Sequence, residues 1–353
     1  MYLKKLNHFL KYIDTFKYNI LIKKTGFMLS SPTILVIEPT NLCNYSCKKC
    51  LRSYTPISKQ RNAGFITLDN LETILKKIPN SIEFIGLNGF GEPLLHPKFI
   101  DIISIIRKYK PNVKIGFHTN GALINDQIIN ACLKYNLTDI EISLDTINPK
   151  KFKIIHSTKA SPDKILQNIK KLIEARNKSN SKLRIGIAYV MQYENRGQLK
   201  LLINTAHKLK VDFVGPVVPV NPFFGYDISK WKTPYKDMQK EIVEAQKVQK
   251  KLKMNVQFPK LERGKIGSAN ISTKENIGCT FPFDLYPIIT WDGYSMPCVW
   301  LQEIKYNTGN LLTEDFNEIW NGKKIRNIRK LFSNNKVLSI CQTCKPGNFN
   351  YKK

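Results

Sequence analysis

The sequence predicts an α/β protein in which a parallel sheet, covered by helices, curves into a partial barrel and is followed by a small cysteine-bearing domain. Three observations carry this reading. Short β-rich runs alternate six times with longer stretches of helical periodicity. The β runs are almost continuously apolar, as in strands buried on both faces. Cysteine, glycine and acidic residues gather directly after those runs. Six units are too few for an eight-fold barrel but enough for an open (β/α)6 one, whose chemistry sits at the C-terminal ends of the strands.

The elements follow in order. Residues 1–30 read as a basic amphipathic helix, with Leu6, Phe9, Leu10, Ile13 and Ile20 near helical spacing and Lys4, Lys5, Lys11, Lys17, Lys23 and Lys24 around them. Packing across the open barrel is expected; peripheral contact with an anionic membrane is the other reading. Residues 31–225 carry the barrel. Its strands are TILVIEP from Thr33, IEFIGLNG from Ile82, VKIGFHTNG from Val113, DIEISLD from Asp139, LRIGIAYVM from Leu183 and VDFVGPVV from Val211. Between them lie amphipathic stretches such as LDNLETILKKI and SPDKILQNIKKLIEARNK. Cys132, inside the helix-patterned IINACLKYN, is expected to be a buried core thiol. Residues 226–270 read as a charged, solvated helical connector. In residues 271–353, YPIITWDGYSMPCVW reads as strand, Asp292-Gly293 turn and strand, a hairpin that brings Cys298 back towards Cys279.

A chain of 353 residues with 42% hydrophobic residues has enough apolar surface for one large core and a smaller appendage. The net charge of +29 favours anionic ligands, although the lysines are scattered over helix surfaces and no recognised RNA-binding module accompanies them, so no specific nucleic-acid partner is predicted. The N-terminus lacks the uninterrupted apolar run of about 18 residues that a membrane span needs. A cytoplasmic location is therefore expected, where cysteine binds metal or does redox chemistry rather than forming structural disulfides.

Cys43, Cys47 and Cys50 follow the first strand with the spacing C-x3-C-x2-C. Thiolates suit zinc or iron–sulfur clusters. Structural zinc takes four protein ligands, and no neighbouring His or Cys supplies the fourth. An iron–sulfur cluster with one iron left open accounts better for three.

This triplet resembles the signature of the radical S-adenosylmethionine (SAM) superfamily, and further segments match in the family's order. Gly91-Glu92-Pro93, preceded by Gly89, is similar to its Gly-Glu-Pro segment; Thr119-Asn120-Gly121 to its TNG; Ser143-Leu144-Asp145 to a polar position near the ribose or carboxylate of SAM; and Met191 to Asn195 to a common segment after the fifth strand. The resemblance implies a SAM-binding 4Fe-4S cluster on Cys43, Cys47 and Cys50. It implies SAM contacts at Gly89, Gly91, Glu92, Pro93, Asn120, Ser143, Asp145 and Met191. In place of the family's aromatic before the third cysteine stands Lys49.

The second cysteine group, Cys279, Cys298, Cys341 and Cys344, suits a closed tetrahedral site that physics alone leaves open between zinc and a fully ligated cluster. Gly293-x4-Cys298 with the terminal C-x2-C resembles the SPASM domain in its single-cluster form, which implies one auxiliary 4Fe-4S cluster on these four residues. The implied activity is that of an oxidoreductase. SAM is cleaved reductively to a 5′-deoxyadenosyl radical that takes hydrogen from an unactivated C–H bond. The auxiliary cluster accepts an electron, and a flavodoxin- or ferredoxin-like protein supplies the reductant. With only about thirty residues before the first strand, a small-molecule substrate is expected: a sugar, cyclitol or lipid-linked precursor. Peptide maturation by crosslinking or epimerisation is the alternative. A zinc-stabilised nucleic-acid-binding protein is the alternative from another class. No substrate acid or base is assigned; His118, Tyr189 and Gln192 lie on strands near the expected mouth.

Overall fold

The computed structural model describes residues 15–48, 50–54, 61–217, 235–259, 261–262, 265–266, 283, 287–298, 301, 303–334, 336 and 338–342. After α1 (Thr15–Thr25), the barrel runs β1 (Ile34–Ile37), a single turn α2 (Leu51–Tyr54), α3 (Leu68–Lys77), β2 (Phe84–Leu87), α4 (Phe99–Tyr109), β3 (Lys114–Thr119), α5 (Asp126–Lys134), β4 (Asp139–Ser143), α6 (Pro149–His156), α7 (Pro162–Lys178), β5 (Arg184–Val190), α8 (Leu199–Leu209) and β6 (Phe213–Val217). All six strands pair in chain order and parallel, with Leu35 opposite Ile85, Gly86 opposite Gly116, Ile140 opposite Ile185 and Ile187 opposite Val214. The expected partial (β/α)6 barrel forms.

Strand alternation sorts the side chains into two layers. Leu35, Ile37, Ile85, Leu87, Ile115, Ile140, Ile142, Ile185 and Ile187 are buried against helices that present Leu71, Ile74, Ile102, Ile106, Ile169 and Ile203 at helical spacing. The helices start where a polar side chain can accept an orphan amide: Thr67 from Asn70, Asn125 from Ile128, Asn148 from Lys151 and Ser161 from Lys164. Cys132 is fully buried on α5. The other strand face looks into the barrel. There Phe213 lies so close to Gly186 that a Cβ on the glycine would meet its ring at 2.1 Å.

The Lys-rich α9 (Tyr235–Leu252) is solvated on one face only. Met238, Ile242 and Ala245 form a buried stripe, and the buried Glu241 carboxylate accepts from the Tyr189 hydroxyl at 3.1 Å and the Leu199 amide at 3.0 Å. Beyond it, Val256 pairs parallel with Val214 at the barrel edge. The abundance of lysine had concealed a short apolar stripe. A small ribbon follows, β7 (Leu261–Glu262) with β8 (Lys265–Ile266).

The expected hairpin also forms, as β9 (Ile288–Ile289) and β10 (Tyr294–Met296), with Gly293 at φ +86° in its turn. It does not stand apart from the barrel. β9 pairs parallel with β1, Val36 opposite Ile288, and β10 pairs antiparallel with β11 (Gly309–Asn310), so one nine-stranded sheet runs β11-β10-β9-β1-β2-β3-β4-β5-β6.

The N-terminal helix is described only from Thr15. The described part, α1, packs on α11 (Lys323–Ser333) of the C-terminal region, after α10 (Phe316–Asn321), rather than across the barrel opening. Polar contacts fix the segment that follows it: the Asn321 side chain pairs with both backbone groups of Met28 at 3.0 and 2.9 Å, and Trp320 Nε1 donates to the Ser30 carbonyl at 2.9 Å. Leu6, Phe9, Leu10 and Ile13 lie outside the described residues. Among the described residues no helix is long and apolar enough to cross a membrane.

Candidate functional site

The loops after β1 to β5 converge on one cavity of about 390 Å³. After β1 the chain enters the cysteine loop. The Thr40 hydroxyl donates to the Gly64 carbonyl at 2.6 Å, and the Lys48 amide donates to the carbonyl of Ile155 on α6 at 3.0 Å. Cys43, Cys47 and Cys50 all line the cavity. Burial pushes their thiols above the ordinary range, and at Cys47 the neighbouring Cys50 and Cys43 add to it. Without metal these thiols keep their protons, which a bound metal must displace.

Glu92, 2% exposed, anchors the second and third loops to each other. Its carboxylate accepts from the Thr119 hydroxyl at 2.6 Å and from the amides of Asn120 at 2.7 Å and Leu94 at 3.2 Å. Burial nevertheless raises its pKa, and the three donors only partly oppose that. Gly91 sits where the second loop touches the cysteine loop after β1. A Cβ there would fall 2.3 Å from the carbonyl oxygens of both Leu42 and Thr40. Gly91→Ala is therefore expected to cost about 1–3 kcal/mol of stability and to lower iron retention, as measured by thermal unfolding and iron assay of the reconstituted protein.

Gly89, Gly91, Glu92, Asn120, Ser143 and Asp145 line the cavity together with the cysteines. Two residues expected beside them do not. Met191 is 1% exposed and belongs to the hydrophobic core; its neighbours Val190 and Gln192 face the cavity instead. Pro93 is buried at the start of a short 3₁₀ turn. Of the three strand residues near the mouth, Tyr189 is a satisfied core residue, its hydroxyl bonded to Glu241 and the Asn195 carbonyl. Gln192 donates to Asp145 at 3.0 Å. His118 lines the cavity with its Nε2 3.3 Å from Glu141 Oε2.

The lining residues missed from sequence include Tyr45 and His156. Tyr45 carried a signal, being an aromatic between the first two cysteines. His156 carried none, because it comes from α6, 109 residues beyond Cys47, and places Nδ1 3.3 Å from the Cys47 sulfur. The Tyr45 hydroxyl and His156 Nε2 are buried without a hydrogen-bond partner. Such orphaned groups in a cavity wall suit a polar ligand. Among the described residues no three His, Cys, Asp or Glu side chains converge as the ligands of a single ion would. A polynuclear cluster, whose thiolates bind separate irons, fits three sulfurs spread along one wall.

In the C-terminal region Cys298 is 9% exposed and packs with Met296, Leu301 and Leu338, and the Cys341 amide donates to the Leu338 carbonyl at 2.8 Å. Cys341 is thereby carried on a segment packed beside Cys298. Cys279, Cys344 and Lys49 lie outside the described residues.

Family comparison agrees with this layout. The model of the radical SAM superfamily matches residues 37–206, and that of the SPASM iron–sulfur cluster-binding domain matches residues 279–345. The chain carries a radical SAM domain followed by a SPASM domain. Its cofactors are a 4Fe-4S cluster and SAM, with further iron–sulfur in the SPASM domain. The chain is 32% identical over 142 residues to molybdenum cofactor biosynthesis protein 1 of Bos taurus, covering 40% of this chain and 22% of that protein. It is 33% identical over 120 residues to GTP 3′,8-cyclase of Microcystis aeruginosa, covering 33% of this chain and 36% of that one. These matches span about a fifth to a third of the relatives' length. In fold, the chain is similar to Streptococcus suis SuiB bound to precursor peptide SuiA, with TM-score 0.69 and 18% identity over 93% of this chain and 73% of that one. It is also similar to native anSMEcpe with bound AdoMet, with TM-score 0.64 and 18% identity over 90% of this chain and 89% of the other.

Proposed function

We propose that this radical SAM enzyme oxidises a small polar molecule at a C–H bond, with the C-terminal iron–sulfur site as electron acceptor. In this reading Cys43, Cys47 and Cys50 hold the SAM-binding cluster; Gly89, Gly91, Glu92, Asn120, Ser143 and Asp145 form the SAM wall; and Cys279, Cys298, Cys341 and Cys344 hold one auxiliary cluster. The barrel spans residues 31–225 and the auxiliary domain residues 271–353. When bound, the reduced cluster and SAM supply a 5′-deoxyadenosyl radical able to take hydrogen from an unactivated C–H bond.

One observation supports the small substrate. Asn88 and His118 line both the cysteine cavity and a second space of about 530 Å³ in the barrel, walled by Phe84, Phe213, Asp139, Glu141 and Arg184 among others. Its walls mix aromatic rings with charged groups, which suits a polyhydroxylated molecule that stacks and accepts hydrogen bonds. His118, beside Glu141, is the group in this wall able to hold a proton next to a substrate hydroxyl.

A peptide substrate is the second reading, supported by the likeness in fold to SuiB bound to SuiA and to anSMEcpe with bound peptide. The experiment that separates the two is 5′-deoxyadenosine formation by anaerobically reconstituted, reduced protein. Stimulation by sugars or cyclitols is the expected result. Rapid turnover with a ribosomal peptide encoded nearby, and none with sugars, overturns the small-molecule reading while leaving the radical chemistry in place.

A further inference from the structure

The last turn of α6 buttresses the cysteine loop. The Ile155 carbonyl accepts the Lys48 amide at 3.0 Å, and the next residue, His156, brings Nδ1 to 3.3 Å from the Cys47 sulfur. The imidazole is 4% exposed and wedged between Phe152 and Tyr45, with ring centroids 4.4 and 5.8 Å away, so it has little room to swing. Its other nitrogen faces Asp145 at 3.8 Å. The Asp145 carboxylate is fixed in turn by the Val190 amide at 2.7 Å and the Gln192 side chain at 3.0 Å. The cysteine loop thus has two kinds of sulfur contact. Cys43 accepts a backbone amide, from Tyr45 at 3.5 Å, which any sequence could supply. Cys47 has a side chain built up to it from a distant helix.

We propose that His156 donates a hydrogen bond from Nδ1 to the Cys47 sulfur when that sulfur holds iron, and so raises the reduction potential of the N-terminal cluster. The inference rests on the reading of Cys47 as a cluster ligand. A ligating thiolate has no proton, so a hydrogen in the contact can come only from the ring; the bond runs from ring to sulfur in the tautomer that carries its proton on Nδ1 and leaves Nε2 bare, 3.8 Å from Asp145. It draws electron density from the ligand and stabilises the reduced, more negative cluster; hydrogen bonds to sulfur are among the levers that set such potentials. His156 is here a positioning residue that acts through Cys47.

The test is an EPR-monitored redox titration of the reconstituted full chain. The cluster whose signal changes when SAM is added is the one with the open iron, which separates it from the auxiliary site. His156→Leu removes the donor. His156→Asn keeps one, because its amide nitrogen reaches almost the place of Nδ1. The expected result is a more negative midpoint in the Leu variant and a near wild-type midpoint in the Asn variant, at equal iron content. Equal midpoints in all three proteins overturn the proposal. Should the Leu variant fail to fold, pulsed EPR of wild-type protein labelled with ¹⁵N-histidine decides. A weak nitrogen coupling that disappears in the Asn variant supports the hydrogen bond. No coupling overturns it, and so does the strong coupling of a directly bound nitrogen, which would make His156 a ligand. A wild-type protein with no SAM-responsive signal would instead remove the reading of Cys47 as a ligand.

Discussion

Replacing Cys43, Cys47 and Cys50 together with alanine is expected to halve the iron of the reconstituted protein, from about eight to about four per chain, and to abolish SAM cleavage. The three sulfurs line one cavity, and the loop that carries them is held by a backbone bond from Lys48 to Ile155 of α6 and by one from Glu92 to Leu42, which the substitutions leave in place. The variant should therefore stay folded and keep the iron of its C-terminal site. Cys132, fully buried on α5 and not part of the cavity lining, provides the control: Cys132→Ala should retain wild-type iron. Iron unchanged in the triple variant would show that these cysteines are not ligands. Wild-type protein with about four irons and one zinc would keep the radical enzyme but remove its auxiliary electron acceptor. Colourless protein holding zinc alone would leave a zinc-stabilised binding protein.

Arg61→Met is expected to destabilise the protein by about 3–5 kcal/mol, read as a lowered urea midpoint. Arg61 and Glu38 side chains are each 1% exposed and lie 2.7 Å apart, with Asp292 of the hairpin turn 3.6 Å from the same guanidinium. Glu38 also accepts the Phe90 amide at 3.0 Å, so the pair ties the C-terminal hairpin to the loop beside the cysteines. Removing the cation alone leaves a buried carboxylate without its counter-charge. The double variant Arg61→Met/Glu38→Gln removes both charges and should recover much of the loss. A single variant as stable as wild type would show that the pair is not coupled to folding. Looser SAM binding in the single variant would trace the same link into the cavity.

The barrel was legible because its helix-facing strand positions, Leu35 and Ile37 through Ile185 and Ile187, repeat one apolar pattern five times. The cysteine loop and Glu92 were legible because each lies within a short contiguous segment. What the local pattern omits is pairing over distance. Nothing near Ile288 indicates that it will lie beside Val36, and nothing near His156 indicates Cys47. Facing is also decided one residue at a time. The segment after β5 was found, but alternation turns Met191 into the core and gives the cavity Val190 and Gln192. The connector helix shows the same limit, since three apolar residues among many lysines were enough to bury one side of it.

The parallel pairing of β9 with β1 has a consequence for electron flow. The Val36 amide donates to Pro287 and the Glu38 amide to Ile289, so the hairpin leading to Cys298 is bonded to the strand leading to Cys43. On the proposed reading of Cys43 and Cys298 as cluster ligands, two redox stations are mounted on one sheet at a fixed gap, like electrodes cast into a single block. On that reading the span an electron must tunnel is the same on every turnover, set by the sheet and not by a domain closing around the substrate.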